Sequence, residues 1–265
     1  MCLLVLAWRA HPRYRLVVAA NRDEFHERAA AALEKWAPPA DLIAGRDLRS
    51  GGTWLGVDRE RRFGVVTNYR ELQPPRAGAP SRGELIPAYL AARSGGSPAS
   101  PADFLGALAP RAGSYSGFNL LLADEHSLWY GSNRATPFAR ALAPGVYGLA
   151  NESLDTPWPK LERVRAGFER WLQQGAPART EALFELLADR TPAMENGAAP
   201  TDALPRDWAR ALSAPFVLHP EYGTRCSTLL LLEESGRLHL AERRFDPAGE
   251  ASGERQFRLQ PGEWP

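Results

Sequence analysis

Met1-Cys2-Leu3-Leu4-Val5-Leu6-Ala7-Trp8 and Tyr14-Arg15-Leu16-Val17-Val18-Ala19-Ala20 decide how this chain folds. Each is a continuous apolar run of strand length, and only residues 9–13 separate them. Together they read as an antiparallel hairpin. The second run ends in Asn21-Arg22-Asp23-Glu24. Antiparallel pairing sets the end of one strand beside the start of its neighbour. The hairpin alone therefore predicts Arg22 and Asp23 close to Cys2. Cys2 becomes the terminal residue if Met1 is removed, which a small second residue permits. It would then carry a nucleophile and a base together. An α-amine has a pKa of about 7.7–8.0, so much of it is available as a base near neutrality. A terminal amine acting on its own side chain is an established means of activation. A guanidinium nearby would favour the thiolate, and a carboxylate could hold the amine.

Outward from the hairpin, composition limits the rest. The chain has 265 residues, 44% of them hydrophobic and 24% charged, with a net charge of +1. That is an ordinary globular composition with ample material for a core, and a single domain over residues 1–265 is expected. No basic block points to nucleic acid or an anionic membrane. Of 32 basic residues only Lys35 and Lys160 are lysine. The cysteines are Cys2 and Cys226, too few for a disulfide framework and without zinc spacing. They fit a reducing compartment, so a cytoplasmic location is expected. The apolar run Cys2–Trp8 is too short for a signal or a membrane span.

Along the chain, residues 25–44 read as an irregular connection with one weak helical piece, Ala29–Trp36. Gly51–Asp58 and Phe63–Asn68 read as a hairpin, with glycines for a turn and close packing. A Pro-rich loop over residues 74–80 precedes Ser81-Arg82-Gly83-Glu84, which has capping-box spacing. A helix should follow through Ala92, bent near Pro87. Ser94–Ser100 reads as a flexible linker, and Ser100-Pro101 as the start of a second short helix. Residues 117–123, 128–133 and 145–151 read as three antiparallel strands. Thr156-Pro157 opens a long helix ended by Gly175, with Leu161, Val164, Phe168, Trp171 and Leu172 on one face. Thr180–Asp189 reads as a helix, residues 191–206 as a loop, and Asp207–Leu212 as a short helix. Residues 224–232 and 237–243 form a last hairpin, and Glu254–Leu259 an edge. Two antiparallel sheets with helices on their outer faces satisfy this order, a layered α+β architecture.

Arg22-Asp23, Asn68, Asn151 and Arg225 all stand where apolar strands end, the usual position of a site on a rigid scaffold. With Cys2 they make a coherent set. Cys2 would attack a carbonyl. Asn68 or Asn151 would donate to the oxyanion, a role worth ~2.7–4 kcal/mol where it has been measured. Arg225 or Arg22 would hold the sulfur anionic.

Further motifs accumulate in collinear order: Ala19–Phe25, Gly51-Gly52-Thr53-Trp54-Leu55-Gly56, Thr67-Asn68-Tyr69, Arg82–Leu85, Gly117–Leu120, Tyr147–Asn151, Thr156–Leu161 and Tyr222–Arg225. Over nearly its whole length the chain resembles the NRDE family, that of transport and Golgi organisation protein two. The resemblance implies an N-terminal-nucleophile (Ntn) hydrolase-like fold, a four-layer αββα sandwich. More distantly the chain is similar to the penicillin V acylases and bile salt hydrolases. That similarity implies Cys2, Arg22, Asp23, Asn68, Asn151 and Arg225 as the catalytic set for a non-peptide amide or related acyl bond. It leaves Asn21, Glu24, Trp54 and Tyr69 as ligand-binding candidates. In those hydrolases two residues separate the early Arg and Asp, whereas Arg22 and Asp23 are adjacent. Adjacent strand residues face opposite ways, which makes Glu24 a rival to Asp23. The family resemblance also implies a non-catalytic alternative, a carrier of haem or of a lipid-like ligand, with Cys2, His26, His126, His219, His239 and Met194 as the available axial types. No cofactor or metal is required by the hydrolase reading.

Overall fold

The computed structural model describes residues 2–38, 40–71, 78–174, 180–193 and 204–265. The chain opens with β1 (Cys2–Trp8), β2 (Tyr14–Phe25), β3 (Ala30–Lys35), β4 (Leu42–Asp47), β5 (Leu55–Asp58) and β6 (Phe63–Asn68). A 3-10 turn (Arg82–Glu84) leads into α1 (Leu85–Ala91), followed by β7 (Arg93–Ser94), β8 (Ser97–Pro98) and α2 (Pro101–Leu108). Then come β9 (Phe118–Ala123), β10 (Leu128–Ser132), β11 (Ala139–Leu142) and β12 (Gly145–Ala150). Three helices, α3 (Pro159–Gln173), α4 (Thr180–Leu187) and α5 (Arg206–Leu212), precede β13 (Tyr222–Glu233), β14 (Leu238–Phe245) and β15 (Ala251–Leu259).

The strands form two large antiparallel sheets. One has the order β12-β1-β2-β13-β14-β15 and the other β11-β10-β9-β6-β5-β4-β3. The opening hairpin is as expected, and β12 and β13 pair on either side of it. Alternation along these strands sorts the side chains. Leu4, Leu6, Leu16, Val18, Leu230 and Leu240 cluster with Ile43, Leu55, Phe63, Val65 and Leu121 of the second sheet. The opposite parity, Leu3, Val5, Val17, Ala19, Leu229 and Leu231, packs on Leu161, Val164, Phe168, Trp171, Leu183 and Leu187 of α3 and α4. A third cluster joins Leu42, Ala44, Leu120 and Leu122 to Ile86, Tyr89, Leu90 and Leu105 of α1 and α2. Removing apolar surface in three contiguous clusters is the main stabilising term. Among the described residues no helix is long and apolar enough to cross a membrane.

Several expectations change. Ala29–Trp36 is not helical. Its Ala-rich core becomes β3 because pairing with β4 outweighs a weak local preference. The ladder is irregular between Ala31 and Glu34, and there the Leu33 N–H donates to the buried Glu242 carboxylate at 2.9 Å. β4 begins inside the expected irregular connection 25–44, and β11 lies in a stretch the sequence left unassigned. Within the expected linker 94–100, β7 and β8 pair through Ser94 and Ser97. Ser81 makes no side-chain cap bond, whereas the Ser100 hydroxyl accepts from the Asp103 N–H at 3.1 Å as expected. Pro87 lies in the first turn of α1, where a missing N–H costs nothing, so the expected bend has no cause. The strand at 145–150 joins the sheet of β1, not that of β9 and β10. The long helix starts at Pro159, with Trp158 as its extended cap residue. Gly175, Met194, residues 74–77 of the Pro-rich loop and 194–203 of the later loop lie outside the described residues.

Candidate functional site

Cys2 is the first residue of β1, opposite Arg22 of β2. On its other side Leu3 pairs with Ala150, the last residue of β12, so the next residue, Asn151, stands beside Cys2. Asn151 has a φ of +33°, a left-handed backbone that a short amide side chain tolerates well. Its side chain turns back onto the strand start. The Cys2 N–H donates to Asn151 Oδ1 at 2.7 Å, while Asn151 Nδ2 donates to the Asn68 carbonyl at 2.9 Å. Asn151 therefore holds the nitrogen of Cys2, and its own amide hydrogens turn toward β6.

Arg22 and Asp23 both reach the cleft around Cys2 despite being adjacent. Arg22 follows the parity of Val18 and Ala20 into the space between the sheets. Asp23 pairs with Thr224 of β13, beside an irregularity of that ladder. Its carboxylate accepts from Thr224 Oγ1 at 2.7 Å, and its backbone N–H favours the Cys2 thiolate. Glu24 also lines the cleft but faces Arg22 and Arg28, at 3.8 and 3.7 Å. Arg22 donates to Asp47 Oδ2 at 3.2 Å and lies 4.5 Å from the centre of the Trp54 ring.

This cleft has a volume of about 280 Å³ and also takes in Arg28, Trp54, Asn68 and Arg82. A second cleft of about 290 Å³ shares Asn68, Arg82 and Ser116 with it. Tyr69, Trp208, Leu212 and Tyr222 give the second cleft an apolar lining.

Burial dominates the electrostatics. It pushes the Cys2 thiol up, reinforced by the Asp23 carboxylate and only partly opposed by the Asp23 N–H and Arg22. Burial also raises the Asp23 carboxyl, against Lys160, Thr224 and Arg22. Arg22 thus does not by itself hold the sulfur anionic.

Two expected residues stand elsewhere. Arg225 is the extra residue of a bulge where β13 pairs with β2, between Thr224 and Cys226. It lines neither cleft and lies 2.7 Å from His26 Nδ1. Asn21 is fully engaged inside the protein. It donates to the Leu187 and Pro215 carbonyls at 2.8 and 3.0 Å and accepts from Ser227 at 2.6 Å, tying β2 to the end of α4. Cys226 is buried in the core.

Arg28, Asp47, Arg82 and Lys160 enter the surroundings of Cys2 without having been singled out. The signals for Arg82 and Lys160 lay in motifs already quoted. Lys160 is 2% exposed, a burial that an amphipathic helix pattern does not foretell for lysine. Its ammonium donates to the Leu212 carbonyl at 2.8 Å and is attracted by Asp23 and Cys2. Arg82 is brought in by a close approach of two loops. The Thr53 N–H donates to the Gly83 carbonyl at 2.9 Å, and a Cβ on Gly52 would lie 2.4 Å from the Gly83 backbone.

Comparison with known proteins follows the same span. The sequence profile of the family described as "Transport and Golgi organisation 2" matches residues 1–247. The transport and Golgi organization protein 2 homolog of Bos taurus is 32% identical, over 98% of this chain and 100% of its own length. The Homo sapiens homolog is also 32% identical, over 92% of each chain. The Drosophila melanogaster transport and Golgi organization protein 2 is 26% identical, over 94% of this chain and 95% of its own. With the profile covering most of the chain and the mammalian relatives spanning nearly all of it, this chain belongs to the Transport and Golgi organisation 2 family.

Proposed function

We propose that this chain is a cysteine hydrolase of the N-terminal-nucleophile type, cleaving a non-peptide amide or related acyl bond. In this reading the two sheets stack as the inner layers of a four-layer αββα sandwich. One observation carries the proposal: the nitrogen of Cys2 lies 2.7 Å from Asn151 Oδ1 at the edge of a cleft that Cys2 lines together with Arg22, Asp23 and Asn68.

Removal of Met1 turns the Cys2 nitrogen into an amine. As the sulfur attacks the acyl carbon, the neutral amine takes the thiol proton, so the raised thiol is matched by an internal base. Asn68 is the amide donor left for the oxyanion. Collapse of the tetrahedral adduct breaks the C–N bond, and the ammonium returns its proton to the leaving amine. Water then attacks the thioester with the amine again as base, releasing the acid and restoring the thiol. Asn151 and Asp23 hold the amine throughout, and Lys160 and Thr224 support Asp23.

A panel of straight-chain acyl p-nitroanilides tests this on the wild type and two variants. Cys2→Ala should abolish release of the anilide. Asn151→Ala should lower it by about tenfold or more, the cost of a lost hydrogen bond to a charged group. Unchanged turnover in Cys2→Ala would end the reading.

The second cleft supports a second reading, a carrier of a lipid-like ligand without catalysis. For haem, neither cleft presents a histidine or methionine among the described residues, and the axial types left are Cys2 in the first cleft and Tyr69 and Tyr222 in the second.

A further inference from the structure

Not every guanidinium around Cys2 is matched to a carboxylate among the described residues. Three guanidiniums, Arg22, Arg28 and Arg82, and three carboxylates, Asp23, Glu24 and Asp47, line the cleft among the described residues. The carboxylates are already taken up. Asp47 accepts from Arg22, Arg28 and the N–H groups of Arg49 and Ser50. Glu24 faces Arg22 and Arg28, and Asp23 accepts from Thr224. Arg82 has no carboxylate within 4.0 Å among the described residues, and its hydrogen bond goes to the neutral Gly117 carbonyl at 2.9 Å. Arg22 is 6% exposed, and its Nη1 is buried without a hydrogen-bond partner among the described residues. A buried guanidinium nitrogen left unpaired is costly. Behind the cleft the buried Lys160 adds a further positive charge, drawn to Asp23 and Cys2.

We propose that the Cys2 cleft binds a ligand bearing a carboxylate, which Arg22 Nη1 and Arg82 hold while its apolar body lies toward Trp208 and Tyr222. Arg22 Nη1 and Arg82 are the guanidinium donors that the carboxylates of the cleft leave open among the described residues. A phosphate monoester, with ~1.5–2 negative charges at neutral pH, would be repelled more strongly by Asp23, Glu24 and Asp47 in the same cleft. Planar guanidinium forks match the carboxylate. Arg82 stands where the two clefts meet, so an anion held there leaves the apolar lining of the second cleft for an aliphatic chain. Burial and the nearby Arg28 push the Arg82 guanidinium down, a penalty that a bound anion relieves. The proposal concerns what the cleft holds, not which bond is cut, and it stands if Cys2 proves inert.

Calorimetric titration of the full chain with hexanoate, hexanamide and hexyl phosphate tests it. Hexanoate should bind saturably. Hexanamide, with the same chain and no charge, should bind about tenfold or more weakly, as expected for loss of a charge-assisted pair. Hexyl phosphate should not exceed hexanoate. Arg82→Gln should weaken hexanoate by about tenfold and leave hexanamide unchanged, and Arg82→Lys should retain part of the preference. Equal binding of hexanoate and hexanamide by the wild type, tighter binding of hexyl phosphate, or no saturable hexanoate signal would overturn the proposal, whatever the variants do. Failure of the hydrolase reading would instead appear as absent anilide release with hexanoate binding intact.

Discussion

Cys2, Arg22 and Asp23 were legible as neighbours because a hairpin leaves little choice of partners. What alternation alone could not say is that both Arg22 and Asp23 reach the cleft. The two residues stand beside the start of β1 and opposite the irregularity between Thr224 and Cys226, where strand alternation is interrupted. Arg225 was misplaced for a related reason. A bulge changes which way a strand residue faces, and nothing in Gly223-Thr224-Arg225-Cys226 announces one. Asp47 was missed because its role is gathered from afar. Burial tends to raise its carboxyl, but the Ser50 N–H, Arg28 and Arg22 overcome this and hold it below the usual range. A depressed carboxyl stabilises the fold above its unfolded pKa, and that stability is lost as pH falls through the folded value. Asp47→Asn should therefore cost ~1–3 kcal/mol at pH 7. The gap to wild type should close in acid as the native carboxyl protonates, as checked by urea unfolding at several pH values. A gap that persists at pH 2 would show that charge is not the cause.

At the scale of elements, strong periodicity was read well and weak periodicity was not. The apolar stripe of α3 and the alternation of β13 both lead to buried clusters. The segment that became β3 has no such pattern, and its strand state comes from β4 and Glu242, partners distant from any local window. Two serines make the same point about caps. Ser81 and Ser100 both precede an acid three residues on, but only Ser100 bonds back to the backbone. Loss of a working cap costs ~1 kcal/mol. Ser100→Ala should lower unfolding stability by that amount, and Ser81→Ala should change it by less than ~0.5 kcal/mol. Equal losses in chemical denaturation would contradict the cap geometry seen here.

For the whole molecule, the site depends on segments far apart in sequence converging at one end of the two sheets. β1, β2 and β12 bring Cys2, Arg22, Asp23 and Asn151 together, and β6 brings Asn68. Arg82 arrives only because Gly52 presses on the Gly83 backbone. Gly52→Ala should push that loop away, costing ~1–3 kcal/mol by overpacking. It should also weaken hexanoate binding more than hexanamide binding; an unshifted unfolding midpoint with full hexanoate affinity would refute the close approach. These convergences could be inferred from collinear motifs, but not their geometry, because loop-to-loop contacts have no period. The most direct measurement of the central claim is the intact mass of the purified chain before and after exposure to a β-lactone, with the adduct located by peptide mapping. The account predicts a chain lacking Met1 that gains one acyl group on Cys2, and none in Cys2→Ala. A chain that retains Met1, or that gains no acyl group at residue 2, would contradict it.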